Sequence, residues 1–336
     1  MSKFVKIGLV GYGRHMDHSM FPNIISNENT EVVSVADISQ ERLDLISHKI
    51  RGIKTYAGAE DLIKAAKKDN LDAVVISMTP QDHLKYTKLA LENGLHVFVE
   101  KPVCLYADDL NPLIKIADKN NLVTCVGTKW RYTKATQLAQ KLCRTKIHYF
   151  PKVITLEADF PGLFKDSMWG LNSKTEITFY DMFVHAFDYI ESWVPNGKLV
   201  SVKKVFESES IEVVQAEIKN SETVACINLI RGSQQYGMQF EATLDNGAKL
   251  SMHNLTSLKL IDSQSWLGTE GSLRDEPGLT WNQGRLYRGY ARAGYREEWD
   301  AFISAILNKK DTPTNLKEAK KAIEKINLSL EKLNNE

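Results

Sequence analysis

Val5-Lys6-Ile7-Gly8-Leu9-Val10, running into Gly11-Tyr12-Gly13-Arg14-His15-Met16, is the stretch on which the fold turns. The first part is a short apolar run of strand length, and the second reads G-x-G-x-x-M. That is one residue away from the dinucleotide fingerprint G-x-G-x-x-G/A. There the first glycine permits a tight turn. The second lets backbone approach a pyrophosphate, which rests on the N-terminus of the following helix. Gly11 and Gly13 supply both, and Arg14, His15 and Met16 are expected beside the same ligand. The third glycine normally allows close helix–strand packing, which Met16 does not. The helix is therefore expected to stand off or to be short, and Pro22 favours a short one, because proline removes an interior helix bond. A glycine pair alone is also compatible with a plain turn.

The neighbouring sequence extends the pattern. Glu31-Val32-Val33-Ser34-Val35-Ala36 reads as a second strand, closed by Asp37. An acid about 20 residues beyond the glycines is expected to bond the adenosine ribose hydroxyls. Its charge would repel a 2′-phosphate, so NAD is favoured, with NADP left open by Arg42. The alternative for Asp37 is the N-cap of a helix over 39–48. Strand patterns at 53–56, 71–77, 95–99 and 122–126 then alternate with helix patterns at 59–68, 82–92 and 108–119. Such alternation implies right-handed crossovers and a parallel sheet. The fold class is therefore α/β: residues 1–125 form a doubly wound Rossmann domain, and residues 126–336 a second, α+β domain.

The strand at 95–99 ends in Glu100-Lys101-Pro102. In open α/β sheets ligands bind outside the carboxyl ends of the strands, and a lysine there can place a charge or a proton beside one. Taken alone, Lys101 is equally readable as a surface lysine before a turn proline. Its surroundings are more specific. Ser77-Met78-Thr79-Pro80-Gln81-Asp82-His83, followed by Ala90-Leu91-Glu92-Asn93-Gly94-Leu95-His96-Val97-Phe98-Val99-Glu100-Lys101-Pro102, resembles the glucose–fructose oxidoreductase / inositol dehydrogenase / MocA family. That family carries T-P-x-x-H, then A-L-x-x-G-x-H-V leading into E-K-P. The resemblance implies a nicotinamide cofactor along the strand ends. It implies that Thr79, Pro80 and His83 line the cofactor and that Glu100 and Lys101 face nicotinamide and substrate. Without it, His83 would read as an ordinary residue of a helix N-terminus.

Beyond Gly127 the reading changes. Lys129-Trp130-Arg131-Tyr132 precedes a helix pattern at 133–143. Arg131 either holds an anionic or hydroxyl-rich ligand or pairs with an acid between the domains, and Lys129 is a weaker candidate of the same kind. A strand pattern at 152–160 leads into an irregular stretch with Phe164, Trp169 and Asn172, in which Trp169 either covers a sugar face or simply packs. Asp181-Met182-Phe183-Val184-His185-Ala186-Phe187-Asp188 follows. Asp181 and His185, four apart, share one face of a helix. A lone histidine in such a helix is usually structural, but D-x-x-x-H resembles the family's second signature, which implies chemistry for both. The glycines that commonly precede that aspartate are replaced by Thr178-Phe179-Tyr180, so the pocket's shape is expected to differ, with Tyr180 a candidate to reach it. Strand patterns fill 198–261, with Asp245-Asn246-Gly247 as a hairpin signal. They are expected to build a large, mainly antiparallel open sheet, whose face in the family pairs with another subunit as a homodimer or homotetramer. Residues 263–292, with Trp266, Trp281, Arg285 and Arg288, read as a long loop. Helices at 295–307 and 314–333 end the chain, and Y-R-E-E-W-x-A-F-I there again resembles the family.

Bulk properties agree. The chain has 336 residues with 43% hydrophobic and 25% charged side chains, enough for two ordinary domains. A formal charge of +1 gives no reason to expect nucleic acid or an anionic membrane surface as partner. No signal peptide or spanning segment is read at the start, so the cytosol is expected. Cys104, Cys125, Cys143 and Cys226 lack metal-ligand spacing and read as reduced buried thiols.

The resemblance implies hydride transfer between nicotinamide and a carbinol carbon of a sugar, cyclic polyol or nucleotide sugar. His185 would move the alcohol proton, Lys101 would bond the reacting oxygen, and Asp181 would orient His185 or hold a neighbouring hydroxyl. Two alternatives stay open at this level: a redox-neutral NAD-dependent glycosidase or lyase, and a non-catalytic NAD(H)-binding regulator.

Overall fold

A computed structural model describes residues 4–145, 148–161, 167–261, 278–284 and 293–335. The first domain is a six-stranded parallel sheet of β1 (Val5–Val10), β2 (Thr30–Ala36), β3 (Lys54–Tyr56), β4 (Ala73–Ile76), β5 (His96–Val99) and β6 (Thr124–Val126), in the order β3-β2-β1-β4-β5-β6. All of β4 is buried, as are Val97, Phe98 and Val99 of β5. Strands covered on both faces read as unbroken apolar runs, which is why these segments stood out in the sequence. The crossovers carry α1 (Phe21–Ile25), α2 (Gln40–Lys49), α3 (Ala59–Lys64), α4 (Ala66–Asp69), α5 (Pro80–Glu92) and α6 (Leu110–Asn120). The first crossover is short, as Met16 and Pro22 suggested: a π-helical turn, Met16–Met20, runs directly into α1 with Pro22 in its first turn. The helix expected at 59–68 is divided into α3 and α4 at Ala65.

The second domain holds α7 (Lys134–Thr145), β7 (Pro151–Pro161), α8 (Lys174–Thr178), α9 (Val184–Glu191), β8 (Lys198–Glu207), β9 (Glu212–Lys219), β10 (Val224–Ser233), β11 (Gly237–Leu244), β12 (Lys249–His253), β13 (Ser257–Ile261) and β14 (Leu279–Asn282). Its eight strands run β14-β13-β12-β11-β7-β10-β9-β8 and are antiparallel except for the β7–β10 pair. In β9 and β11 alternate residues are buried, the period-two signature of a sheet packed on one face. Val214, Ala216, Ile218, Ile227, Leu229 and Phe240 belong to the core built around Phe183, Phe187, Tyr189 and Ile190 of the helical layer.

One expectation is corrected. The stretch 263–292, read as a loop, contains β14, whose Trp281 pairs in register with Leu258 of β13. Trp266, Arg285 and Arg288 lie outside the described residues, as does Phe164.

The last two helices, α10 (Tyr295–Asn308) and α11 (Leu316–Asn334), return to the first domain. Trp299, Phe302 and Ile303 of α10 join the core on one face of the parallel sheet, with Ile7, Leu9 and Phe98. Leu316, Ala319 and Ile323 of α11 join the core on the other face, while Ala322 and Ile326 join the second domain's core. The expected boundary at residue 125 falls inside β6. No helix among the described residues is long and apolar enough to cross a membrane. No cluster of His, Cys, Asp or Glu among them could hold a metal ion.

Candidate active site

A cleft of about 740 Å³ lies across the carboxyl ends of β1, β2, β4 and β5 and reaches the second domain. Gly11, Gly13, Arg14, His15, Asp37, Thr79, Pro80, His83, Glu100, Lys101, Lys129, Trp169 and His185 all line it. At one end Gly11 has φ +86°, and a Cβ there would stand 2.4 Å from the Ser77 carbonyl oxygen, so the turn after β1 admits no side chain. At Gly13 a Cβ would meet nothing within 4 Å, which leaves open space against the turn. Asp37 fixes the turn's shape: Oδ2 accepts from Tyr12 N at 2.7 Å and Oδ1 from Ser39 N at 2.9 Å. The N-cap of α2 is Ser39, so Asp37 is not the cap. Met16 is fully buried in the core under α1 and is not a lining residue, which corrects its place among the expected ligand contacts.

At the other end the two domains meet. Lys101 Nζ donates to Asp181 Oδ1 at 2.7 Å and to the Asp181 carbonyl at 2.9 Å. The backbone explains the second bond. Phe179–Phe183 is a π-helical turn between α8 and α9, so the helix expected across Asp181 and His185 is not a regular α-helix there, and a carbonyl is left for Lys101. Burial opposes ionisation of Asp181, but Lys101, Arg231 and Lys129 outweigh it and hold the carboxyl below its usual range. His185 is buried, its ring stacked on Trp130 with centroids 5.1 Å apart, and its Nδ1 has no hydrogen-bond partner. Burial, with the charges of Lys129, Lys101 and His15, pushes its pKa well below 6.5. It is a neutral base at neutral pH.

Glu100 is buried beneath this end, and His15 Nε2 lies 3.2 Å from its Oε1. Burial raises its pKa, and the His15 contact with the charges of Lys129 and Lys101 brings it below the usual carboxylate value. A Cβ at residue 127 would stand 2.8 Å from Glu100 Oε1, so a side chain where β6 ends would have to displace the Glu100 carboxylate.

The comparisons with known proteins fit this geometry. Residues 5–128 match the Gfo/Idh/MocA family model, described as an oxidoreductase family with an NAD-binding Rossmann fold. The match covers the first domain, so the NAD-binding Rossmann fold of that family is shared by residues 5–128. It is 24% identical over 274 residues to an inositol 2-dehydrogenase of Burkholderia multivorans, covering 78% of each chain. Other curated relatives match over about a third of their length, 31% to 39%. Among solved structures, a dehydrogenase from Chromobacterium violaceum superposes with a TM-score of 0.88 at 21% identity, covering 99% of this chain and 96% of that one. A levoglucosan dehydrogenase in complex with NADH and levoglucosan gives 0.81 at 14% identity, covering 99% and 98%.

The NAD-binding fold of the family and the open space at Gly13 agree: the turn fits a dinucleotide. Other expected residues lie elsewhere. Arg131 does not line the cleft. Its Nε donates to Asp188 Oδ2 at 2.8 Å and its Nη1 reaches Pro313 O and Glu318, so of its two readings the structural one describes it. Tyr180 is buried, donates to Leu105 O at 2.7 Å and accepts from Asn327, away from the cleft. That corrects the expectation that its hydroxyl reaches the pocket. His83 lines the cleft with Nδ1 2.8 Å from Pro102 O and Nε2 3.0 Å from Met78 O; its ring N–H donates to one of these carbonyls and so ties α5 to the strand ends. Sequence reasoning missed Tyr295, which lines the cleft from the start of α10 about 170 residues after Lys129, and the stacking role of Trp130. Tyr295 opens the Y-R-E-E-W-x-A-F-I stretch, but nothing in that pattern places it at the cleft, and no local pattern marks the stacking of Trp130.

Proposed function

We propose that this protein is an NAD(P)-dependent dehydrogenase that moves a hydride between nicotinamide and a carbinol carbon of a sugar, cyclic polyol or nucleotide sugar. The observation that carries the reading is that Lys101, bonded to Asp181, and neutral His185 line the same cleft as the glycine turn. The bound nicotinamide supplies the hydride acceptor. The chain supplies the rest. The Lys101 ammonium donates to the reacting oxygen and stabilises the charge that grows on it as the O–H proton leaves. His185, uncharged and beside it, takes that proton and returns it in the reverse direction. Asp181 holds Lys101 in place through its carboxylate and its carbonyl. Thr79, Pro80 and Asp37 border the cofactor, and Trp169 walls the substrate end, with Lys101 Nζ 5.9 Å from its ring centroid. The chemistry named for the inositol and levoglucosan dehydrogenases agrees in class.

Lys101→Met tests the assignment. Turnover is expected to fall about a hundredfold or more with NAD affinity retained. Turnover within about tenfold of the parent, at unchanged cofactor binding, would remove Lys101 from the mechanism.

A further inference from the structure

Besides His83 and the neutral His185, four basic side chains line the cleft: Arg14, His15, Lys101 and Lys129. Lys101 is bonded to Asp181, His15 faces Glu100, and Arg14 belongs to the glycine turn at the cofactor end. Lys129 differs. It is half-buried and makes no hydrogen bond or ion pair with a described residue. Its ammonium lies over the ring of Tyr295, 4.7 Å from the centroid. A cation on an aromatic face is held in place while its N–H donors stay available. Lys129 also sits at the reacting end, since its charge is felt by Asp181, His185 and Glu100 together. Nearby acids do not satisfy it. Asp181 is taken by Lys101 and Asp188 by Arg131, and Glu298, whose pKa burial and Glu100 push well up, makes no ion pair with it among the described residues.

We propose that Lys129 binds a carboxylate carried by the substrate, so that the preferred substrate is a sugar acid or its nucleotide conjugate rather than a neutral sugar. This rests on the dehydrogenase reading above and narrows its substrate class. A carboxylate suits the site better than a phosphate. A phosphate usually recruits several donors, an arginine fork or a helix N-terminus. Here one unpaired ammonium stands alone, and Arg131 is turned away.

The test is binding, measured by calorimetry on the full chain loaded with NADH. Hexuronates are compared with the matching hexoses, each free and as the UDP conjugate, so that the members of a pair differ only in the carboxylate. The acid is expected to bind about tenfold or more tighter than its partner. Lys129→Met should abolish the difference and Lys129→Arg should keep most of it. Equal affinities within the pairs, no binding of any acid, or a preference that survives Lys129→Met would each overturn the proposal. So would a loss in Lys129→Met that falls equally on both members or on NADH. Turnover is scored separately. Acids that bind through Lys129 without forming NADH in the presence of NAD would count against the dehydrogenase reading and leave the Lys129 assignment standing.

Discussion

His185 owes its chemistry to where it is buried. Its depressed pKa means that the neutral, proton-accepting ring persists to lower pH than an exposed imidazole would allow. A base works in its unprotonated form, so the acid limb of kcat/KM for alcohol oxidation is expected below pH 6.5, the ordinary imidazole value. A profile of kcat/KM against pH checks this, and an acid limb at or above that value would contradict it. The glycine turn gives a second residue-scale prediction. Gly13→Ala adds a methyl where no protein atom lies within 4 Å. The melting temperature should hold while NAD affinity drops, because the methyl takes space left for the cofactor; a titration with NAD reads it. Lys101 and His185 could be placed at the cleft because E-K-P and D-x-x-x-H resemble the family's motifs; residue type and spacing alone left both open to a structural reading. Arg131 and Tyr180 could not be placed, because their partners Asp188 and Leu105 lie 57 and 75 positions away. Only the folded chain decides whether such a side chain meets a ligand or another residue.

At the scale of elements, two departures from regular geometry shape the site. The first is the turn after β1. Gly11→Ala would force a side chain into a left-handed backbone and against Ser77 O. It should cost about 1–3 kcal/mol or more in denaturant unfolding, unlike Gly13→Ala. An unchanged unfolding midpoint would show that the turn can relax. The second is the π-turn Phe179–Phe183, which offers Lys101 a backbone carbonyl in addition to the Asp181 carboxylate. The elements themselves were largely readable: the apolar runs of β1, β4 and β5 and the alternation of β9 to β13 follow from burial on two faces or on one. The π-turn was not, because Asp181 and His185 four apart fit a regular helix equally well. Nor was β14, because Leu279–Asn282 is only four residues long and is held by pairing with β13.

In the whole molecule the two domains share cores. α10 and α11 clasp both faces of the parallel sheet after the chain has built the second domain. A buried ion pair reinforces this: Lys325 Nζ donates to Glu191 Oε2 at 2.8 Å, joining α11 to the end of the helix that bears His185. Lys325→Ala should destabilise the protein by about 3 kcal/mol by leaving Glu191 buried without its main partner, and Lys325→Met with Glu191→Gln should recover much of that. Thermal unfolding of both variants checks it. The other face of the second sheet, with Val153, Cys226 and Ile230 among polar neighbours, is proposed to pair with a second copy of the chain. Sedimentation equilibrium is expected to return a dimer or tetramer, and a monomer at micromolar concentration would contradict it. The central claim is that the meeting of the domains makes one hydride-transfer site. Its most direct test is the near-ultraviolet absorbance of reduced nicotinamide, followed with purified protein, NAD or NADP, and a panel of sugars, inositols, sugar acids and nucleotide sugars. Absorbance is expected to grow with one chemical class and to vanish in Lys101→Met. No growth with any member, while NAD binds tightly, would contradict it.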